Sequence, residues 1–394
     1  MAGKDDSSKG GEQPGTEVVH LGRAPFEHHG FVNPPVYRGS TVLYETLEAL
    51  KSRKQPYTYG RRATPTTRAL EEAIVHLEGG AATILTSSGL AAVSTAILAF
   101  AEAGDHILIT DSVYQPARAF ADRLLKRLGV ETTYYNPTIG ADVAKHFRPN
   151  TRLVVVESPG SQTFEMQDIP AIANVARSNN VWVIADNTWA TPLYCKPLAL
   201  GADVSIQAAT KYIVGHADAM LGAVTANARA AKYVDNAKET LGTCPGSEET
   251  YLGLRGLRTL DVRLERHQRS GLAVAEWLAG RAEVDRVLHP AFPSHPGHDI
   301  WKRDFTGATG LFTIVLKPVA EKSLAAFLDG LKLFGMGYSW GGFESLVILF
   351  DPTNYRTATK WTGPGPALRF HIGLEAVDDL VADLADGFRR MAAA

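Results

Sequence analysis

Cysteine is almost missing from this chain: Cys195 and Cys244 are the two among 394 residues. Two are too few for a disulfide framework or a cysteine-built zinc site, and the compartment they suit is a reducing cytoplasm. A charge of one sign is missing as well. Lys and Arg total 40 against 42 Asp and Glu, so the net charge is −2 and no basic stripe carries interleaved aromatics. That balance excludes a nucleic-acid or other polyanion binder. No long hydrophobic run has the character of a membrane span. Residues 79–101 carry no charge, but Gly79, Gly80, Gly89 and the Thr86-Ser87-Ser88 cluster interrupt them. Such a break does not sit in hydrocarbon, and the stretch reads as a strand, Ala82–Thr86, a turn, and a buried helix, Leu90–Phe100. Residues 1–15 are polar and Gly-rich without the apolar segment of a signal peptide, and are expected to be a disordered tail.

What is present is the composition of a soluble globular protein, 45% hydrophobic and 21% charged, long enough for two domains. Val18 to Lys54 is rich in Gly, Pro and aromatic residues, as in Gly30-Phe31-Val32-Asn33-Pro34-Pro35, and has few helix signals beyond a short one at Glu45–Lys54. Segments of that kind wrap a neighbouring surface. An amphipathic helix is expected at Thr66–Glu78, with Leu70, Ile74 and Leu77 on one side. Short apolar strands then alternate with helices. The strands are expected at Ala82–Thr86, His106–Thr110, Glu131–Tyr135, Arg152–Val156, Val181–Ala185, Asp203–Gln207 and Leu221–Thr225; the helices between them include Pro116–Leu128, Gly140–Phe147 and Pro170–Ser178. This is an α/β pattern with a mostly parallel sheet covered on both faces. A long helix, Arg258–Leu278, leads into a smaller α+β domain with strands at Val284–Leu288, Gly310–Leu316 and Leu368–Ile372. The expected division is a tail at 1–15, an N-terminal arm at 16–62, a large domain at 63–257 and a C-terminal domain at 258–394.

In parallel sheets, ligands lie beyond the carboxyl ends of the strands, and chemistry-bearing residues cluster there in the sequence. Lys211 follows the strand Asp203–Gln207 through a small-residue turn, Ala208-Ala209-Thr210. A desolvated lysine amine is neutral enough to attack a carbonyl, although most lysines after strands are plain surface charges. Ser88, Gly89 and Leu90 join a strand to a helix; they form either an ordinary helix cap or a cradle of N–H groups for an anion. Tyr114 offers a flat ring past the second strand, and Glu157 and Asp186 end later strands. For Asp186, at the end of a buried apolar strand, the carboxylate needs a partner, such as a helix start or a protonated ring nitrogen. The loop Tyr57-Thr58-Tyr59-Gly60-Arg61-Arg62 is a solvated turn or an anion clamp. His295-Pro296-Gly297-His298 lies in a turn with no third ligand, so no metal site is expected. One cofactor would use the lysine, the acid, the ring and the phosphate cradle together: pyridoxal phosphate.

The motifs Tyr59-Gly60-Arg61, Ser87-Ser88-Gly89-Leu90, Glu157-Ser158-Pro159-Gly160-Ser161, Ala185-Asp186-Asn187-Thr188, the stretch from Gln207 to Asp218, Trp301 to Gly307, Tyr338 to Ser345 and Arg369 to Gly373 together resemble the Cys/Met-metabolism family of pyridoxal-phosphate enzymes, and within it the bacterial cystathionine β-lyases. The resemblance runs from about Thr16 to the end. It implies fold type I (aspartate aminotransferase-like) with a large cofactor domain and a smaller α+β domain. It also implies that Lys211 carries the cofactor, Asp186 pairs its ring nitrogen, Tyr114 stacks on the ring and serves with Lys211 in catalysis, and Ser88, Gly89, Leu90 and Thr210 bind the phosphate. Tyr59 and Arg61 would reach the cofactor site of an adjacent subunit, making a dimer the smallest working unit and a tetramer the common assembly. Arg369 and Ser339 would hold the substrate α-carboxylate, with Tyr338 and Trp340 beside them.

Three departures within the family carry information. Ala208 stands where many relatives have a phosphate-binding Ser. Ser161-Gln162 replaces the Asn-Pro of γ-acting relatives, so no substrate-orienting amide is expected there. Ser339-Trp340-Gly341 replaces their Ser-Leu-Gly and is similar to the β-lyases. The implied activity is α,β-elimination of L-cystathionine, an amino-acid thioether, to homocysteine, pyruvate and ammonia. The alternatives are a broad cysteine-S-conjugate or cystine β-lyase, a γ-lyase or γ-synthase, and, from another class, a non-catalytic cofactor-binding regulator.

Overall fold

The computed structural model describes residues 12–394. The expected tail falls largely outside the described residues, and its last two positions belong to a first helix, α1 (Pro14–His20), whose Pro sits in the first helical turn. Val18 of α1 is buried in an apolar cluster that includes Leu70, Ile74 and Leu260. A short α2 (Leu47–Ser52) is capped by Thr46, whose hydroxyl accepts the Ala49 N–H at 3.0 Å. The following α3 (Pro65–Glu78) starts with a capping box between Thr64 and Thr67 and ends on Gly79 in the left-handed region.

Seven strands form the larger sheet: β1 (Ala82–Thr86), β2 (His106–Thr110), β3 (Glu131–Tyr135), β4 (Thr151–Glu157), β5 (Trp182–Asp186), β6 (Val204–Gln207) and β7 (Gly222–Ala226), in the order β1-β7-β6-β5-β4-β2-β3. The pairings among β2 to β6 are parallel, whereas β7 runs antiparallel to both β1 and β6. The interior strands β2 and β6 are buried along their whole length, because both faces of the sheet are covered. One face packs under α4 (Gly89–Leu98), α5 (Gln115–Phe120) and residues 230–234; the other packs under α6 (Ile169–Ser178). The expected helix Pro116–Leu128 is composite: α5 passes into a π-helical turn over Ala121–Leu125. The expected Gly140–Phe147 helix is a 3-10 helix, Gly140–His146.

A one-turn α7 (Thr191–Tyr194) follows β5, and α8 (Ala231–Leu241) and α9 (Ser247–Leu257) complete this half. The 20-residue α10 (Leu260–Ala279) then crosses to the second half; Leu264, His267, Gly271, Val274 and Leu278 line its buried side at helical spacing. The second sheet has the order β10-β11-β12-β9-β8, with β8 (Val284–Leu288), β9 (Leu311–Leu316), β10 (Phe334–Met336), β11 (Ser345–Phe350) and β12 (Ala367–His371). Two of these strands, β10 and β11, are additions to the expected set. Helices α11 (His298–Asp304), α12 (Glu321–Leu328) and α13 (Val377–Ala393) accompany it, and Phe327 of α12 packs on Phe388 of α13 at 4.8 Å between ring centres. Among the described residues, no helix is long and apolar enough to cross a membrane.

Candidate active site

The carboxyl ends of β1, β4, β5 and β6 converge on a cleft of about 350 Å³ closed on its far side by Trp340 and Arg369. Lys211 lies in the turn after β6. Its Nζ donates to Ser339 Oγ at 2.6 Å and stands 5.2 Å from the Trp340 ring. Burial first, and then the Arg369 guanidinium, lower its ammonium, the Asp186 carboxylate works against both, and the outcome is about 8. The turn bearing Ser339 and Trp340 is shaped for this approach. Ser339 and Gly341 both take positive φ, 77° and 84°. A side chain at Gly341 would stand 2.9 Å from the Lys211 carbonyl carbon. Glycine is therefore required there by conformation and by space.

Asp186 ends β5. Its Oδ1 accepts from the Thr188 N–H at 2.9 Å and from the Thr188 hydroxyl at 2.5 Å; that hydroxyl in turn accepts the Ala208 N–H at 2.9 Å. Burial raises its carboxyl above the usual range, opposed by the Thr188 bonds and the Lys211 amine. Glu157, at the end of β4, is Asp186's register partner across the sheet and accepts the Tyr114 N–H at 2.7 Å. Burial, and then the Asp186 charge, push Glu157 well up. Two adjacent, partly buried carboxyls with raised affinity for a proton form a place where a cationic ring nitrogen would be stabilised. Tyr114 is 43% exposed, with its ring at the cleft. Burial and the two carboxyls raise its phenol, which stays protonated at neutral pH.

Ser88 is the N-cap of α4, accepting the Ala91 N–H at 3.1 Å, and it also lines the cleft, so cap and anion cradle coincide in one residue. The helix start carries the N–H groups of Gly89 and Leu90. A Cβ at Gly89 would lie 2.4 Å from the Ala208 Cβ, so only glycine lets this helix approach the Ala208–Thr210 turn. The Thr210 hydroxyl lines the cleft while exchanging hydrogen bonds with the Leu221 backbone, accepting at 2.8 Å and donating at 3.1 Å. On β12, Arg369 donates from Nη2 to the Ser339 carbonyl at 2.9 Å, and its Nε is buried without a partner. Burial lowers its guanidinium to about 10, which leaves it charged at neutral pH. A primary amine beside a partly buried acid, a helix-start cradle spaced by Gly89 and an unsatisfied guanidinium fit pyridoxal phosphate and an α-carboxylate together.

Not every expected site residue meets at this cleft. Tyr59 is 44% exposed, Arg61 donates to the Glu239 carbonyl at 3.3 Å, and neither lines the cleft of its own chain. Tyr338 is 87% exposed and outside the lining, although it is close enough to Arg369 to raise that group's affinity for a proton. Sequence reasoning passed over Glu157, Thr188 and Gln162 as site residues, and all three line the cleft. Gln162, at the position where no substrate-orienting amide is expected, lines the cleft. His295 and His298 are turned to the backbone, His295 Nδ1 accepting the Gly297 N–H at 3.0 Å and His298 Nδ1 lying 3.1 Å from the Pro290 carbonyl.

The mostly parallel seven-stranded sheet with its smaller companion, the lysine after β6 and the acid at the end of β5 define a fold-type I enzyme dependent on pyridoxal phosphate. The chain belongs to the Cys/Met metabolism PLP-dependent enzyme family, which matches residues 15–389. It is 46% identical over 387 residues to the cystathionine beta-lyase MetC of Escherichia coli (strain K12), covering 95% of this chain and 98% of that one. It is 45% identical to the cystathionine beta-lyase of Salmonella typhimurium, covering 96% and 99%. The crystal structure of a cystathionine gamma synthase from Xanthomonas oryzae pv. oryzae superposes with a TM-score of 0.89 at 30% identity, over 97% of this chain and 99% of that one.

Proposed function

We propose that this enzyme is a carbon–sulfur β-lyase that splits L-cystathionine into homocysteine, pyruvate and ammonia. The observation that carries the reading is the turn Ser339-Trp340-Gly341. Its indole stands beside Lys211, braced on the Tyr212 ring at 5.4 Å, and narrows the cleft beside the reacting carbons. Relatives named for this activity, 45 and 46% identical across almost the whole chain, support it.

Pyridoxal phosphate, when bound, supplies the electron sink conjugated to the substrate Cα. Lys211 would hold it, Asp186 would keep its ring nitrogen protonated, Tyr114 would cover its face, and Ser88, Gly89, Leu90 and Thr210 would take its phosphate. Arg369 binds the substrate α-carboxylate through the edge that includes its free Nε, and so fixes the orientation of the Cα–H bond. Lys211 Nζ removes the Cα proton, its depressed proton affinity making the neutral amine available near neutral pH. The Cβ–S bond breaks with its electron pair on sulfur, and Lys211 Nζ or the Tyr114 phenol returns a proton to the thiolate. Water then releases the remaining three carbons as pyruvate and ammonia.

A second copy of the chain would complete the site with Tyr59 and Arg61. In this reading residues 16–62 form an arm on a neighbouring subunit, 63–257 the cofactor domain and 258–394 the C-terminal domain, in a cytoplasmic dimer or tetramer. The arm exposes Phe26, Phe31, Val32 and Leu43 at 96, 73, 60 and 85%, which is apolar area that a second copy would cover. The test is incubation of the loaded enzyme with L-cystathionine. Pyruvate with homocysteine is the expected outcome; 2-oxobutyrate with cysteine would overturn it in favour of γ-elimination.

A further inference from the structure

Gln162 sits in the cleft wall with a backbone that side chains rarely adopt, φ +65°. Such a conformation persists only where the surroundings fix it: the Thr163 N–H closes a tight turn on the Ser161 carbonyl at 2.8 Å, and two side chains tether the residue at its centre. The Thr313 hydroxyl donates to the Gln162 carbonyl at 2.7 Å, and the Tyr355 hydroxyl donates to the Gln162 side-chain oxygen at 2.9 Å. Thr313 is the register partner of Arg369 across β9 and β12, so the first tether fastens Gln162 beside the guanidinium. The second orients the amide: with Oε1 engaged by Tyr355, the –NH2 end is the one left to donate.

Tyr355 is itself held in place. It lies on a strap between β11 and β12 that is locked onto the large sheet's loops. Buried Asp111 accepts the N–H groups of Thr357, Ala358 and Thr359 at 3.0, 3.1 and 2.8 Å. Arg356 pairs with Glu165 at 2.5 Å and with the Thr163 hydroxyl. Ion pairs and hydrogen bonds of this kind fix geometry.

We propose that Gln162, oriented by Tyr355, is a second ligand of the substrate carboxylate beside Arg369 and sets the enzyme's selection for α-amino acids over plain amines. The proposal rests on an amino-acid substrate, as in the reading above, but not on which bond the enzyme breaks. An amide –NH2 adds a donor to one carboxylate oxygen while Arg369 takes the carboxylate with its fork.

The test is binding to the loaded enzyme of L-alanine, which has no leaving group, and of 2-(methylthio)ethylamine, which has no carboxylate. Both are read from the change in cofactor absorbance. Loss of a hydrogen bond to a charged group predicts that Gln162→Ala weakens L-alanine by about tenfold or more, and that Tyr355→Phe, which frees the amide to rotate, weakens it by about threefold. Gln162→Glu, which sets a carboxylate against a carboxylate, should weaken it most, and none of the three should alter the amine. Equal weakening of L-alanine and the amine, or unchanged L-alanine binding in Gln162→Ala, overturns the proposal. If Gln162→Ala lowers the melting temperature, Tyr355→Phe carries the test, because it deletes one hydroxyl and leaves the strained backbone intact. Should the wild type break no C–S bond while L-alanine binding still falls in Gln162→Ala, the lyase reading falls and this assignment stands.

Discussion

The proton affinity of Lys211 is the most consequential property of the cleft. Its ordinary value is 10.5, and burial with the nearby Arg369 brings it to about 8. At pH 7 that raises the neutral fraction from about one in three thousand to about one in ten, a gain of roughly 300-fold in the form able to act as nucleophile or base. The assay is the rate at which the apoprotein takes up pyridoxal between pH 6 and 11, divided at each pH by the rate for a free lysine derivative. The ratio removes the aldehyde's own titration. The wild type should show its inflection near 8. Arg369→Leu removes the second cause and should move the inflection upward. Because burial is the larger cause, the inflection should remain below 10.5. Trp340→Ala, which admits water to Nζ, should raise it as well. An inflection at 10 or above in the wild type, or one unmoved in Arg369→Leu, would refute the electrostatic account.

Three other outcomes are expected. Lys211's folded value lies below its unfolded one, so the buried ammonium costs stability in full below pH 8, and the cost fades as pH rises from about 8 to 10.5. Lys211→Met apoprotein should therefore melt higher than wild type at pH 7, with the gap closing above pH 8, while all turnover is lost. Gly89→Ala drives a Cβ to within 2.4 Å of the Ala208 Cβ; melting and cofactor-dissociation measurements should show a loss of about 1–3 kcal/mol in stability and faster cofactor release. Asp186→Asn keeps the shape of the Thr188 hydrogen-bonded turn but removes the charge. Steady-state kinetics should show kcat reduced about a hundredfold or more, with KM changed far less.

Residues whose role depends on local order were legible before the fold was. Lys211, Asp186, Ser88 and Tyr114 each follow a short apolar strand, and strand ends in an α/β sheet face one side, so the cleft could be assembled from the chain alone. The boundaries of β1, β2, β3 and β8 agree with the alternation and the turn residues around them. What depends on register was not legible. Glu157 becomes a site residue only because β4 and β5 pair it with Asp186. Gln162 joins Arg369 only through Thr313 on a strand about 150 residues away in the chain, a separation no local pattern encodes. The strand β11 is an apolar run, Ser345–Phe350, without alternation, and such runs do not distinguish a strand from a loop crossing the core. The π-helical turn in Ala121–Leu125 has no periodic signal of its own.

The most direct test of β-elimination uses L-cystathionine labelled with carbon-13 in its three-carbon half. If the Cβ–S bond of that half breaks, as Lys211, Arg369 and Trp340 are arranged to permit, the label leaves in pyruvate and the homocysteine is unlabelled. Label recovered in cysteine, with unlabelled 2-oxobutyrate beside it, would contradict the account.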